Sequence, residues 1–371
     1  MARSVIGVND PKAVKKYSAA LMLDTSQKSY FLPRFAGRGN EAETPIQILT
    51  ELESDAGEEI KYDLLMELRM EPVEGDDILE GKEEAMRFYT DSVYIDQARC
   101  GANTGGRMTR KRTLHNLREK AKLLQSKWWA RFIDELCFVY LSGARGVNEN
   151  FILGTGFTGR AGNTVTPPDD RHRFFGGSAT AFNNLAATDK MSLAAIDKLV
   201  TRAETQGGGA TDVPMMQPCM VDGERHFVLV MHTWQEDDLR TAAGGATWLD
   251  IQKAAAAAAG RNSPIFKGGL GMYRNVVLHS HRNVIRFNNA GASGNVEAAR
   301  ALFLGAQGGV AAWGSPGTGS RFQWYEEPRD NGNMVAISSH SIFGIKKTTF
   351  NTPAGPQDMG VFALDTAAAS R

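Results

Sequence analysis

The chain has 371 residues, and its 42 lysines and arginines balance 42 aspartates and glutamates, so the net charge is zero. A neutral total excludes global attraction to nucleic acid or to a membrane surface. The length allows two or more lobes, because single cores stop growing near ~250–300 residues.

The charge is distributed unevenly along the chain. Acidic residues dominate from Glu51 to Glu84, and basic ones from Arg107 to Arg131, where Glu119 is the only acid. One copy's acidic segment therefore suits another copy's basic one. Cys100, Cys137 and Cys219 are widely spaced, odd in number and without a CxxC pair, which argues against a disulfide framework or zinc knot and for a reducing compartment. The first residues lack the apolar stretch of a signal peptide, and no run of ~18 apolar residues could span a bilayer.

Residues 1–56 read as an extended arm punctuated by Pro11, Pro33, Gly37, Gly39 and Pro45. A helix is expected from Thr44, with Thr44 as cap, Pro45 at the first helical position, and Ile46, Leu49 and Leu52 near helical spacing. The arm's aromatics, Tyr17, Tyr30, Phe31 and Phe35, need a surface to cover.

Residues 57–106 read as a long hairpin. Leu64, Met66, Leu68 and Met70 alternate in the period of a half-buried strand, Phe88, Val93 and Ile95 mark the return strand, and Pro72, Gly75 and Gly81 mark the bend. Glu74, Asp76 and Asp77 make its tip acidic. Two strands alone are marginal in water, so the hairpin must lie on this chain or on a neighbour.

From Arg107 to Ser142 the pattern predicts one uninterrupted helix. Leu114, Leu117, Ala121, Leu124, Trp128, Phe132, Leu136 and Val139 form its apolar face, with Thr109 as N-cap and Gly143 just past its end. About 35 residues would make a rod of ~50 Å. Its basic residues, Arg110, Lys111, Arg112, Arg118, Lys120, Lys122, Lys127 and Arg131, are read against DNA phosphate, solvent or an acidic neighbour, the last two being favoured.

Residues 144–190 are rich in Gly, Asn and Pro, an irregular length that signals function or ordering by other chains. Gly154 to Gly159 matches GxGxxG, but Gly162, Pro167 and Pro168 follow where a phosphate-binding helix would have to start, so a plain loop is expected. A mixed lobe comes next. It contains a capped helix over 192–206, a buried strand over 226–233, a helix over 248–260, one or two strands over 275–287 and a further helix over 296–314. The end of the chain reads as strands around the turn Asp330-Asn-Gly-Asn333. His226, His232, His279 and His281 fit polar strand positions better than a metal site, and the carboxylates Glu58, Glu59, Glu83 and Glu84 sit in charge runs. No GxSxG elbow or GxxxxGK[ST] loop is present.

The segment order resembles the major capsid proteins of tailed double-stranded-DNA bacteriophages, which have the HK-ninety-seven fold, and is similar to the N-four-like branch. The resemblance covers almost the whole chain and is most specific at residues 62–86, 110–146, 322–333 and 342–351. It implies an α+β fold divided into an arm (1–56), an extended hairpin loop (57–106), a spine helix with a peripheral domain (107–190), a mixed α/β axial domain (191–320), and C-terminal strands (321–371) that return to both. It also implies self-assembly into hexamers and pentamers of an icosahedral head that encloses double-stranded DNA and is built in the bacterial cytoplasm. Portal, scaffold or decoration proteins are its other implied partners; catalytic residues, cofactor, metal and membrane are not implied. The expected subunit contacts are Leu64, Met66, Leu68, Met70, Glu74, Asp76 and Asp77, and the expected DNA- or neighbour-facing cations are Arg110, Arg112, Arg118 and Lys122. The alternative is a non-specific DNA-binding protein that uses the basic helix face.

Overall fold

The computed structural model describes residues 11–39, 43–53, 57–66, 68–113, 116–207, 213–221, 224–242, 265, 269–315 and 321–370. Two sheets are built around one helix. The first sheet runs in the order Ala36–Arg38, Ile46–Leu49, Gly309–Gly314, Met334–Lys347, Phe322–Arg329, and Asp96–Asn103 also pairs with Met334–Lys347. In the second, Gly271–Tyr273, Val276–Ser280, Glu224–Met231, Val296–Leu304, Val361–Ala367 and Arg173–Phe175 follow one another, with Arg286–Ala290 and Cys219–Val221 at its margins.

Period-two geometry explains how the second sheet is held. Val228, Val230, Leu302 and Leu304 point into the core around the central helix, whereas Leu229, Met231, Ala301 and Phe303 point into a separate core. That second core is closed by a helix over Leu193–Thr205, whose Ser192 side chain accepts from the Ala195 N–H as expected of its cap. Strands buried on both faces become continuous apolar runs. The stretch 296–314 was therefore misread as a helix; it is two strands, Val296–Leu304 and Gly309–Gly314, separated by a turn.

The central helix is shorter than expected. Arg107–Arg112 forms α3 and Leu117–Ser142 forms α4, and between them Thr113 and Asn116 are extended. Thr and Asn side chains compete with helical hydrogen bonds, which makes this a natural break. Neither helix begins at Thr109: Gly106 and Asn116 occupy the N-cap positions. The 26 residues of α4 span ~39 Å. At the other end Gly143 is left-handed as expected, and a Cβ there would collide with the Thr166 carbonyl. From Phe132 to Ser142 every residue of α4 is buried, because both sheets pack on it.

Toward its N-terminus α4 keeps an open face. Phe132 is 8% exposed, as its face assignment requires, but Leu124 is 63% exposed, so Leu124 does not belong to the core face. Leu114 lies outside the described residues.

The arm differs from the extended reading. Pro11–Lys28 forms α1, which lies against α4 and the strand Phe322–Arg329, and Leu32–Phe35 forms the single-turn α2. Its seat includes Ser18 Oγ accepting from the Trp324 N–H (3.1 Å) and Lys28 Nζ donating to Ser126 Oγ (2.7 Å). The helix expected from Thr44 is instead a parallel strand, Ile46–Leu49, fully buried between Ala36–Arg38 and Gly309–Gly314. Its Ile-Gln-Ile-Leu sequence suits a buried strand, and four residues are too few for periodicity to decide. The expected helix over 248–260 lies outside the described residues.

Candidate assembly surfaces

Strands Glu59–Leu65 and Phe88–Tyr94 pair antiparallel from Glu59–Tyr94 to Leu65–Phe88. Past the Met66 N–H, which donates to the Arg87 carbonyl (3.1 Å), the ladder stops. The Glu84 carboxylate then bridges the arms of the loop by accepting from the Arg69 and Met70 N–H groups, and these bonds hold its pKa below the usual carboxylate range.

The hairpin has a rigid root. Ile60 and Val93 are buried with Leu49, Val310 and Ala312, and Asp91 accepts from Tyr62 Oη (2.6 Å) and from Lys346 Nζ. Burial, with Asp91 beside it, raises the Tyr62 phenol well above its usual pKa, so it stays a proton donor. Asn163 continues the pairing with its side chain: Oδ1 accepts the Tyr94 N–H (3.0 Å) and Nδ2 donates to the Tyr94 carbonyl (2.7 Å). Arg160 donates to the carbonyls of Asp96 (2.7 Å) and Phe343 (3.2 Å), while Tyr140 of α4 donates to the Asn163 carbonyl (2.9 Å). Part of the irregular 144–190 segment thus wedges the hairpin root against α4. Sequence reasoning missed this role, since only Gly and Asn content marked the segment.

Among the described residues, no core cluster anchors the distal half. The alternation over 64–70 does not define a buried face: Leu64 and Met66 are half-buried, whereas Leu68 and Met70 are exposed. Ile78 (72% exposed), Leu79, Met86 and Phe88 add further bare apolar surface, interleaved with the exposed carboxylates Glu74, Asp76, Asp77 and Glu80. Apolar surface of this extent on a two-stranded arm marks an interaction site.

The four cations expected to share one helix face are dispersed. Arg110 on α3 donates to the Asn333 carbonyl (2.8 Å), Arg118 pairs with Glu326 (2.6 Å) and Lys122 lies 3.6 Å from Asp24 of α1; Arg112 is exposed. What α4 presents to solvent is Arg118, Glu119, Lys120, Leu123, Leu124, Lys127 and Arg131, a mixed apolar and mostly basic stripe.

The enzyme-like signals do not converge. Gly154 and Gly156 stand in open space, and Gly159–Arg160 pairs with Asn163–Thr164 in a small ribbon where a dinucleotide fingerprint needs a helix. His279 and His281 pack among aromatic rings, and the described residues contain no group of three metal-ligating side chains. Burial pushes the Cys137 and Cys219 thiols up, the latter to about 12, away from nucleophilic thiolates.

An α+β subunit with a docked arm, a projecting hairpin, a long spine helix and two sheets is a shell-building protein of the HK-ninety-seven type. The chain belongs to the phage capsid protein family, whose model matches residues 5–370. It is 28% identical over 358 residues to the major capsid protein of Pseudomonas phage KPP25, covering 89% of each chain. The capsid of Ralstonia phage GP4 superimposes with a TM-score of 0.87 at 49% identity, over 100% of this chain and 99% of that one. The cyanophage Pam1 capsid subunit shares the fold, with a TM-score of 0.69 at 20% identity over 93% of this chain and 94% of that one. The protein is a structural component of the phage head.

Proposed function

We propose that copies of this chain form hexamers and pentamers that close into an icosahedral head around double-stranded DNA, each hairpin clamping the neighbouring subunit. The observation that carries the reading is the hairpin: a root fixed by Asp91 and Asn163, and a distal half whose Leu68, Met70, Ile78 and Leu79 are left exposed by the described residues. Its acid-flanked apolar tip complements the lysine-flanked leucines on α4, and unlike charges at such a contact set register more than affinity. Leu64, Met66, Glu74, Asp76 and Asp77 complete the contact.

Three of the four cations expected to face DNA or a neighbour are engaged within the chain, which disfavours a free-standing DNA-binding role. Packaged DNA meets exposed cations such as Arg112 without sequence reading. The reading includes no catalytic step. Assembly takes place in the host cytoplasm, with portal, scaffold or decoration proteins as further partners. Electron microscopy of the purified recombinant chain tests the proposal. Shells, tubes or capsomer rings are expected, and a strictly monomeric particle under every assembly condition would overturn it.

A further inference from the structure

The arm is seated on the body where three elements meet. Asp134 of α4 accepts from the Ser29 hydroxyl (2.7 Å), the Tyr30 N–H (2.8 Å) and the Phe31 N–H (3.2 Å). Just beyond, the Tyr30 ring lies 4.5 Å from the His281 ring, and Phe35 meets His279 edge-on at 5.2 Å. His281 in turn stacks on Phe138 of α4 at 5.0 Å. Parallel pairing of Met231 with Ser280 places His232 and His281, the next residue after each strand, close enough to repel when charged. The aromatic seat of the arm is therefore floored with imidazoles.

These rings are wired as neutral species. His281 Nδ1 accepts from the Asn283 N–H (3.1 Å) and His232 Nδ1 from the Trp234 N–H (3.2 Å), bonds that protonation of those nitrogens would break. His279 Nε2 lies 2.8 Å from the Ile265 carbonyl. The surroundings are mostly cationic: Arg34 from the arm, Arg282 from the loop after Val276–Ser280, and Arg286 from the adjoining strand. From α4 come the Asp134 carboxyl and, one turn on, the Cys137 thiol. Tyr30 is a buried phenol whose oxygen finds no hydrogen-bond partner among the described residues.

We propose that this junction is an acid-sensitive latch: neutral imidazoles keep Tyr30–Phe35 seated, and protonation of His281, together with His232 and His279, releases the arm from its own subunit. Burial is the main cause holding all three imidazoles down to about 4 from their ordinary 6.5, with the adjacent arginines adding to it. Between those values the seated state keeps the rings neutral while an unseated one binds protons, so falling pH favours release. Asp134 opposes this. Burial raises its carboxyl from 3.8 to about 6, so in that range the seated state binds the extra proton and is favoured as pH falls. The two imidazoles that touch the arm, His279 and His281, act against one carboxyl, and release prevails.

The test is hydrogen exchange read by mass spectrometry on the unassembled subunit from neutral to acid pH, corrected for intrinsic exchange. A peptide spanning residues 29–38 should lose protection by about tenfold or more below roughly pH 5, before the strands Glu224–Met231 and Val361–Ala367 do. His281→Phe retains an aromatic ring against Tyr30 and Phe138 without the proton site, and should move the transition to lower pH. The latch is overturned if arm and strands lose protection together, if the arm stays protected until the sheet opens, or if H281F leaves the transition where it was. Should H281F fail to fold, the wild-type profile decides alone between selective and coincident loss.

Discussion

Arg300 is 3% exposed and donates twice to the fully buried Asp365, at 2.6 and 2.8 Å, and once to the Ser142 carbonyl at the end of α4, at 2.8 Å. It therefore ties the second sheet to the helix terminus while satisfying one of the carbonyls that a helix end leaves open. Asp365 keeps a second cation, Arg173, at 3.0 Å, so removing Arg300 weakens the buried charge's compensation without abolishing it. Arg300→Met is expected to lower the free energy of unfolding by about 3 kcal/mol, the lower end for breaking a buried pair, as measured by urea denaturation. Nothing in the sequence links positions 300 and 365, or Asp134 with Ser29. Pairings of this kind depend on which strands become neighbours, and residue patterns do not carry that.

At the scale of elements, the contrast between Leu124 and Phe132 is the sharpest test. Phe132→Asp would bury a charge beside Trp128 and Phe343 and is expected to prevent folding, whereas Leu124→Asp should be accommodated within ~0.5 kcal/mol. Circular dichroism and thermal melting of the two variants check both halves. Both residues fit the same helical spacing; they separate because sheets cover α4 fully only from Phe132 onward. Hairpins and isolated amphipathic elements were readable: the helix after Ser192, the turn at Asp330–Asn333 and the left-handed Gly143 are where chemistry and period indicate. Segments buried on both faces were not, since Val296–Leu304 offers no polar side to betray a period of two. The arm helix went unread although its sequence starts with Pro11, is rich in helix formers and ends on Lys28; the turn formers that follow drew the whole segment toward an extended reading.

For the whole molecule, the hairpin divides folding from assembly. Its distal residues contribute to no described core cluster, so deleting Glu74–Gly81 should leave the melting temperature within a few degrees of the parent, to judge by the usual effect of surface changes. Assembly should fail or slow severely, as followed by light scattering and electron microscopy. Normal shells from the deletion variant would remove the hairpin from the interface. The acidic tip and the basic helix start were both legible as charge blocks. The fate of the basic block was not, because its cations are divided between internal partners and solvent.

The strand Met334–Lys347 touches most of what has been described. Its Lys346 holds Asp91 at the hairpin root, Gly344 lets the Tyr94 carbonyl pass where any Cβ would collide, its middle packs on α4, and the turn before Met334 receives Arg107 and Arg110 of α3. If a neighbour holds the hairpin as proposed, a pull on it enters this single 14-residue strand at Lys346 and runs along covalent backbone to the turn that holds α3. Close-packed interiors transmit strain with little compression. In a shell assembled as proposed, load on the hairpin would be carried as tension in this strand, in the manner of a tie rod.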